Sequence, residues 1–212
     1  MRRLMDSARV YRMAPRWTQQ ELSQAVLDTV RVNGFKSCYI RPLVYRGYEQ
    51  LGLDPQPCPV DATIVVWEWN QMLGAGALEQ GIDVGVSSWT RLAPNTLPAM
   101  AKGTANYANS GLIKMQASLD GYAEGLALDE RGLLSEGSGQ NLFLVRDKVI
   151  FTPSLDSSVL QGITREHCGG LAKGDVAGRL AAAQVIVVHC RQIIVDQRIA
   201  VDAFKGRARE QR

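Results

Sequence analysis

The feature that most limits what this chain can fold into is a loop that no regular element can cross. Residues 52–59 hold Pro55, Pro57 and Pro59 behind Gly52, and proline gives no amide hydrogen to a helix or a sheet ladder. On either side lie runs rich in β-branched and aromatic residues, 37–45 and 62–67, which read as strands. Upstream the periodicity is helical. Leu4, Ala8 and Tyr11 recur at helical spacing until Pro15. Thr18-Gln19-Gln20-Glu21 has the form of a capping box, with Trp17 and Leu22 placed as a hydrophobic staple. Leu22, Ala25, Val26, Thr29 and Val30 then line one face up to Gly34. Helices followed by strands make an α+β pattern.

Downstream, residues 82–88 read as a strand, and a loop with Pro94 and Pro98 leads to Met100-Ala101-Lys102-Gly103. A helix is expected just past Lys102, with Ala108, Leu112, Met115 and Leu119 on its apolar side and Asn109, Lys114, Gln116 and Asp120 on its polar side. Three short runs follow, 125–128, 141–145 and 149–152, which predict a meander of strands. The composition shifts near Gly74. The expected organisation is a partial N-terminal α/β lobe over 1–73, a second partial lobe over 74–165, and a divergent tail over 166–212 with strand-like runs at 185–188 and 193–195.

Charge and cysteine usage narrow the class. Residues 1–165 carry 16 basic and 16 acidic side chains, so the net charge of +3 comes from the tail and the body has no field suited to nucleic acid. No apolar run approaches the roughly 20 residues of a membrane helix, and Met1-Arg2-Arg3 leads into an amphipathic stretch. A cytoplasmic protein is expected. Cys38, Cys58, Cys168 and Cys190 have no CxxC spacing and read as free thiols. His167-Cys168 and His189-Cys190 lack the ligand spacing of a metal site, so no metal is expected.

Among six lysines, Lys36, Lys114, Lys148, Lys173 and Lys205 fall in turns, on a polar helix face or in polar segments. Lys102 alone sits among small and apolar residues, where partial burial would release a nucleophilic amine. A pyridoxal phosphate site needs such a lysine, a carboxylate for the ring nitrogen, a donor for the phenolic oxygen and amides for the phosphate. Lys102, Glu136, Tyr107 and the Gly162-Ile163-Thr164-Arg165 turn are candidates for those places. Each also has a plainer reading: a loop lysine reaching solvent, an acid in a surface turn, a half-buried helix aromatic, and a loop.

Longer blocks go further. YIRPL (39–43), ALEQGIDVGVSSW (77–89), APNTLPAMAK (93–102), NYANS (106–110), LLSEGSGQNLF (133–143) and GITRE (162–166) stand in this order. Together they resemble the branched-chain amino-acid aminotransferases, fold type IV pyridoxal phosphate enzymes. The resemblance runs from residue 1 to about 166. It implies an α+β, two-lobed fold type IV architecture, here incomplete, and transfer of the amino group of leucine, isoleucine or valine to 2-oxoglutarate. It also implies that Lys102 is the lysine linked to pyridoxal 5'-phosphate, that Tyr107 meets the phenolic oxygen and that Glu136 pairs with the ring nitrogen. Leu160 would pack on the ring, with Ile163 and Thr164 at the phosphate. Tyr39, Arg41 and Trp69 would contact substrate, Arg41 through the α-carboxylate of the dicarboxylic partner, and one pocket would take both an apolar side chain and a carboxylate, with a mobile or distant arginine beside apolar walls. A homo-oligomer, at least a dimer, is implied as well.

The chain departs from the family pattern at Met72 for tyrosine, Gln140 for glutamate and Ala105 for glycine. Elements expected before Met1 and after residue 166 have no equivalent here, so the chain reads as truncated at both ends. Other fold type IV enzymes, a D-amino-acid aminotransferase or aminodeoxychorismate lyase, are the alternatives, as is a non-catalytic remnant.

Overall fold

The computed structural model describes residues 1–69, 77–146, 149–169 and 185–189. The chain divides into two compact units, residues 1–72 and 73–212.

The first unit holds α1 (Arg2–Val10), α2 (Gln19–Val32), β1 (Tyr39–Arg46) and β2 (Val60–Trp67). α1 stops well before Pro15: Tyr11 is its C-cap and Arg12 takes a left-handed φ of 53°, which ends the helical run without the proline. α2 carries the expected capping box. The Thr18 hydroxyl accepts from the Glu21 amide at 3.2 Å and the Glu21 carboxylate accepts from the Thr18 amide at 2.7 Å. Those bonds favour the carboxylate and lower its pKa. The face read from the sequence is the inner one: Leu22 is buried and Ala25, Val26, Thr29 and Val30 are partly so. Gly34, at φ 69°, follows the helix in the conformation only glycine takes without strain.

β1 and β2 pair antiparallel, from Tyr39 opposite Trp67 to Arg46 opposite Val60. The proline-rich segment is the loop between them. One guanidinium ties it down: Arg46 Nη1 donates to the carbonyls of Gln56 and Cys58 at 3.2 and 3.1 Å, and Nη2 to that of Arg12 at 2.7 Å. These bonds satisfy loop carbonyls that have no ladder partner.

The second unit runs α3 (Ala77–Gln80), β3 (Val84–Val86), α4 (Asn106–Leu119), β4 (Glu124–Leu128), β5 (Leu134–Gly137), β6 (Asn141–Arg146), β7 (Val149–Phe151), a 3-10 turn (Leu155–Ser157), α5 (Ile163–Gly169) and β8 (Val185–His189). It is no simple meander. β3 and β4 are parallel with α4 as their crossover, and β5 adds antiparallel to β4. In the other sheet β6 lies between β7, antiparallel, and β8, parallel. Part of the divergent tail therefore belongs to a sheet. The strand-like run at 193–195, Met72, Lys148, Lys173, Lys205 and Cys190 lie outside the described residues.

Leu126, Leu134 and Leu142 form the buried cluster that joins β4, β5 and β6, with Val84, Val86 and Leu128 packed against it. Each such leucine contributes about 1.5–3 kcal/mol by leaving water. α4 packs on this sheet with the opposite side from that expected. Asn106, Ser110, Ile113 and Ala117 are buried, while Met115 and Leu119 are 57% and 87% exposed. Of the polar residues, Asp120 stays exposed, but Asn109 and Gln116 are partly buried because they are satisfied there. Gln116 Oε1 accepts from the Ser87 hydroxyl at 2.8 Å and the Ser88 amide at 3.1 Å, and Asn109 Nδ2 donates to the Thr90 carbonyl at 2.8 Å. Gly125 lets Ile113 approach: a Cβ there would lie 2.7 Å from Ile113 Cγ2. No helix among the described residues is long and apolar enough to cross a membrane.

Candidate active site

Glu136 is the centre of the site. Sequence alone suggests a surface turn around it, but Leu134–Gly137 is strand β5, buried along its whole length, and the turn comes only at residues 138–140. Gly137 donates its amide to the Gln140 carbonyl at 2.8 Å, which folds β5 back into β6. The Glu136 carboxylate is held from three directions. Oε1 lies 2.9 Å from Arg91 Nη2, and Oε2 accepts from the Leu160 amide at 3.0 Å and from Asn141 Nδ2 at 3.2 Å.

Burial dominates its titration. Loss of water pushes the Glu136 carboxyl up to about 7, against the pull of Arg91, the Leu160 amide, Asn141 and the more distant Lys102 charge. A buried acid in this state is costly, and such groups concentrate at functional sites. Three donors also leave room on a carboxylate that offers about four lone-pair positions.

Arg91 was not singled out from the sequence. It lies in a proline-bounded loop with Leu92-Ala93 after it, and that apolar context is the local signal of its burial. In the structure its side chain is buried: Nη1 donates to Asn109 Oδ1 at 3.0 Å and to the Ser110 hydroxyl at 3.2 Å, while Nη2 faces Glu136. Its Nε has no hydrogen-bond partner among the described residues. α4 thus supplies the polar groups that aim Arg91 at the carboxylate.

Lys102 Nζ donates to Tyr107 Oη at 2.5 Å and lies 5.0 Å from the centre of that ring. The expected partial burial of Lys102 is not found: Ala101 is buried, whereas Lys102 itself is exposed. The small residues serve the backbone. Asn106 Nδ2 donates to the carbonyls of Pro98 and Ala101, both at 3.0 Å, and so fixes the loop just before the lysine. Ala105 stands in a right-handed conformation, φ −58° and ψ −36°, so the lost glycine imposes no strain there. Lys36 is exposed as expected, but Lys114 is not merely solvated: it donates to the Ala123 carbonyl and lies 3.9 Å from the buried Glu124.

Asn141 links the carboxylate to the next segment. Its Nδ2 also donates to the Leu160 carbonyl at 2.9 Å, and Gly162 packs so close that a Cβ would sit 2.0 Å from Asn141 Oδ1. Ile163 then opens α5, with the Gly162 carbonyl accepting from the Glu166 amide at 3.0 Å. The Ile163 side chain is exposed and Thr164 is partly buried. Arg165 donates to the Pro153 carbonyl at 3.1 Å; burial lowers its pKa and the Glu136 charge raises it.

Gln140 has a clear local role. Its Nε2 donates to the buried Glu124 at 3.1 Å, where a glutamate would set two carboxyl groups against each other. Cys38 and Cys58 are free, and no metal-binding cluster occurs among the described residues; the side chains of His167, Cys168 and His189 lie outside that description.

The three substrate-side candidates lie in the first unit. Tyr39 stacks on Trp69 at 4.7 Å between ring centres, and Arg41 lies over the Tyr39 ring at 5.3 Å.

Residues 1–176 match the family described as amino-transferase class IV. The chain belongs to that family. Among its curated relatives, the branched-chain-amino-acid aminotransferase of Salmonella typhimurium is 49% identical over 174 residues, 82% of this chain and 56% of the relative. The crystal structure of the Escherichia coli branched-chain amino acid aminotransferase superposes with a TM-score of 0.78 at 44% identity, covering 89% of this chain and 60% of that one. The branched-chain amino acid aminotransferase from Thermobaculum terrenum, in its PLP-form, gives 0.74 at 31% identity, over 89% and 58%. This chain therefore spans rather more than half the length of the curated relatives it matches.

Proposed function

We propose that this chain carries the catalytic constellation of a pyridoxal phosphate-dependent branched-chain transaminase, which passes the amino group of leucine, isoleucine or valine to 2-oxoglutarate. The observation that carries the reading is the Glu136 carboxylate, buried and held by Arg91, Asn141 and the Leu160 amide. Pyridoxal 5'-phosphate, when bound, supplies an electrophilic carbon for the amine and a ring that stabilises negative charge.

The rest falls to the chain's own residues. Glu136 offers its remaining lone pair to the ring N–H, whose positive charge would keep the carboxylate ionised. Lys102 Nζ would hold the cofactor through its aldehyde carbon, with water as the leaving group, and the amine, once released, would carry a proton to and from the substrate Cα. Tyr107, in contact with that amine at 2.5 Å, would donate to the phenolic oxygen. Leu160 would pack on the ring, while the Ile163 amide and the Thr164 amide and hydroxyl would hold the phosphate. Tyr39 and Trp69 would contact the branched side chain; Arg41 lies over the Tyr39 ring beside those apolar walls, so it would meet the side-chain carboxylate of 2-oxoglutarate and not, as the resemblance suggests, the α-carboxylate. The protein acts in the cytoplasm as a homo-oligomer, a dimer or larger.

Borohydride reduction of protein mixed with pyridoxal phosphate tests this. Peptide mapping should find the reduced adduct on Lys102. An adduct elsewhere, or none, would leave only a non-catalytic remnant. Amine transfer from leucine, with no pyruvate released from aminodeoxychorismate, separates the reading from the lyase alternative, and inactivity towards D-amino acids separates it from the D-specific one.

A further inference from the structure

Trp67 carries no role in the reading above, yet the hairpin register sets it against the substrate arginine. Tyr39 lies opposite Trp67 and Arg41 opposite Val65, so these four side chains share one face of the β1–β2 pair. On that face the Arg41 guanidinium carbon is 5.1 Å from the centre of the Trp67 ring, closer than to Tyr39. The Trp67 ring is itself 4.6 Å from Tyr39 and 5.5 Å from Trp69. Both rings that Arg41 lies over are partly buried, and Arg41 is exposed.

Arg41 is thus held by aromatic faces. No carboxylate among the described residues pairs with it, in contrast to Arg91 in the second unit. Stacking on rings occupies a face of a guanidinium and leaves the N–H fork at its edge, the part that binds a carboxylate in bidentate fashion. Rings also restrain the long side chain before substrate arrives, which lowers the entropy lost on binding.

We propose that Trp67 is a positioning residue: together with Tyr39 it holds Arg41 in reach of the second carboxylate of a dicarboxylic substrate. Trp67 thereby sets how strongly the chain prefers a dicarboxylic acid over a branched apolar one. This rests on the reading of Arg41 as the dicarboxylate contact.

Calorimetric titration of the cofactor-loaded protein with glutarate and with 4-methylvalerate tests it without turnover. Trp67→Leu removes the ring face and should weaken glutarate about fivefold while leaving 4-methylvalerate within about twofold. Trp67→Phe keeps a ring and should recover glutarate binding to within about twofold of the unaltered protein. Should Trp67→Leu not melt cooperatively, Trp67→Met serves as the ring-free variant. Equal weakening of both acids, no weakening of glutarate, or no recovery in Trp67→Phe would overturn the positioning role alone. An unaltered protein that binds 4-methylvalerate but not glutarate, or that binds neither, would overturn the Arg41 reading together with it.

Discussion

The Arg91 guanidinium stands 2.9 Å from the Glu136 carboxylate, and both side chains are shut away from water. A buried pair of this kind adds little net stability, because each charge has given up its hydration, but removal of one partner strands the other. Arg91→Met should therefore destabilise the protein by about 3–5 kcal/mol. The same change should push the Glu136 carboxyl further up, since the Arg91 charge is the strongest influence holding it down. Urea unfolding followed by circular dichroism reads the first effect. An Arg91→Met variant as stable as the unaltered protein would mean that the pair is not buried in solution.

Glu136 should also impose a pH dependence. Between about 4.5 and about 7 the folded protein keeps the proton that the unfolded chain has lost. The contribution is full below the unfolded value, declines as pH rises through that interval and is level above it. The decline amounts to roughly 3 kcal/mol between pH 4.5 and pH 8. Glu136→Gln cannot titrate and should lack that slope whatever its absolute stability. Unfolding curves at several pH values, compared between the two proteins, measure it. Added pyridoxal phosphate should flatten the slope in the unaltered protein, because a cationic ring N–H beside Glu136 favours the ionised form.

Gly162→Ala should act on the site without replacing any ionisable group. The new methyl group would fall 2.0 Å from Asn141 Oδ1, so Asn141 must move and its bonds to Glu136 and to the Leu160 carbonyl go with it. The expected loss of stability is about 1–3 kcal/mol, the usual cost of overpacking. Adduct formation at Lys102 should slow as the Leu160 segment drifts from Glu136. Melting curves and the rate of visible absorbance change on cofactor addition report the two effects separately.

What the sequence reveals of this molecule is what forms over short distances. The Thr18–Glu21 capping box closes within one turn, and Lys102 and Tyr107, five residues apart at a helix entrance, each stand out from local pattern, although their contact with one another does not. Glu136 is different. Its burial depends on β4 beside it, on Leu160 24 positions later and on Arg91 from an earlier loop, and Ser-Gly-rich flanks signal only a turn. The side of α4 that faces inward was hidden for a related reason. Apolar residues recur at 108, 112, 115 and 119, but the partners that make the polar side stable indoors, Ser87, Ser88, Thr90 and Arg91, come from a separate loop. Periodicity finds a helix; which stripe is buried depends on what that loop supplies.

The α4 assignment makes a sharp contrast between neighbouring residues. Leu119→Gln and Met115→Gln lie on the exposed stripe and should each change stability by no more than about 0.5 kcal/mol. Ile113→Ala, on the buried stripe where the side chain is wholly enclosed, should cost about 2–5 kcal/mol. Gly125→Ala should be harmful from the other side of the same contact, since its methyl group would meet both Ile113 Cγ2 at 2.7 Å and the Ile113 carbonyl oxygen at 2.9 Å. The carbonyl cannot turn away as a side chain can, so α4 must shift off the sheet, and Asn109 and Ser110 would carry Arg91 with them. Parallel melts of the four variants decide the matter: a large loss at Leu119 or Met115 with tolerance at Ile113 would reverse the inward face of the helix.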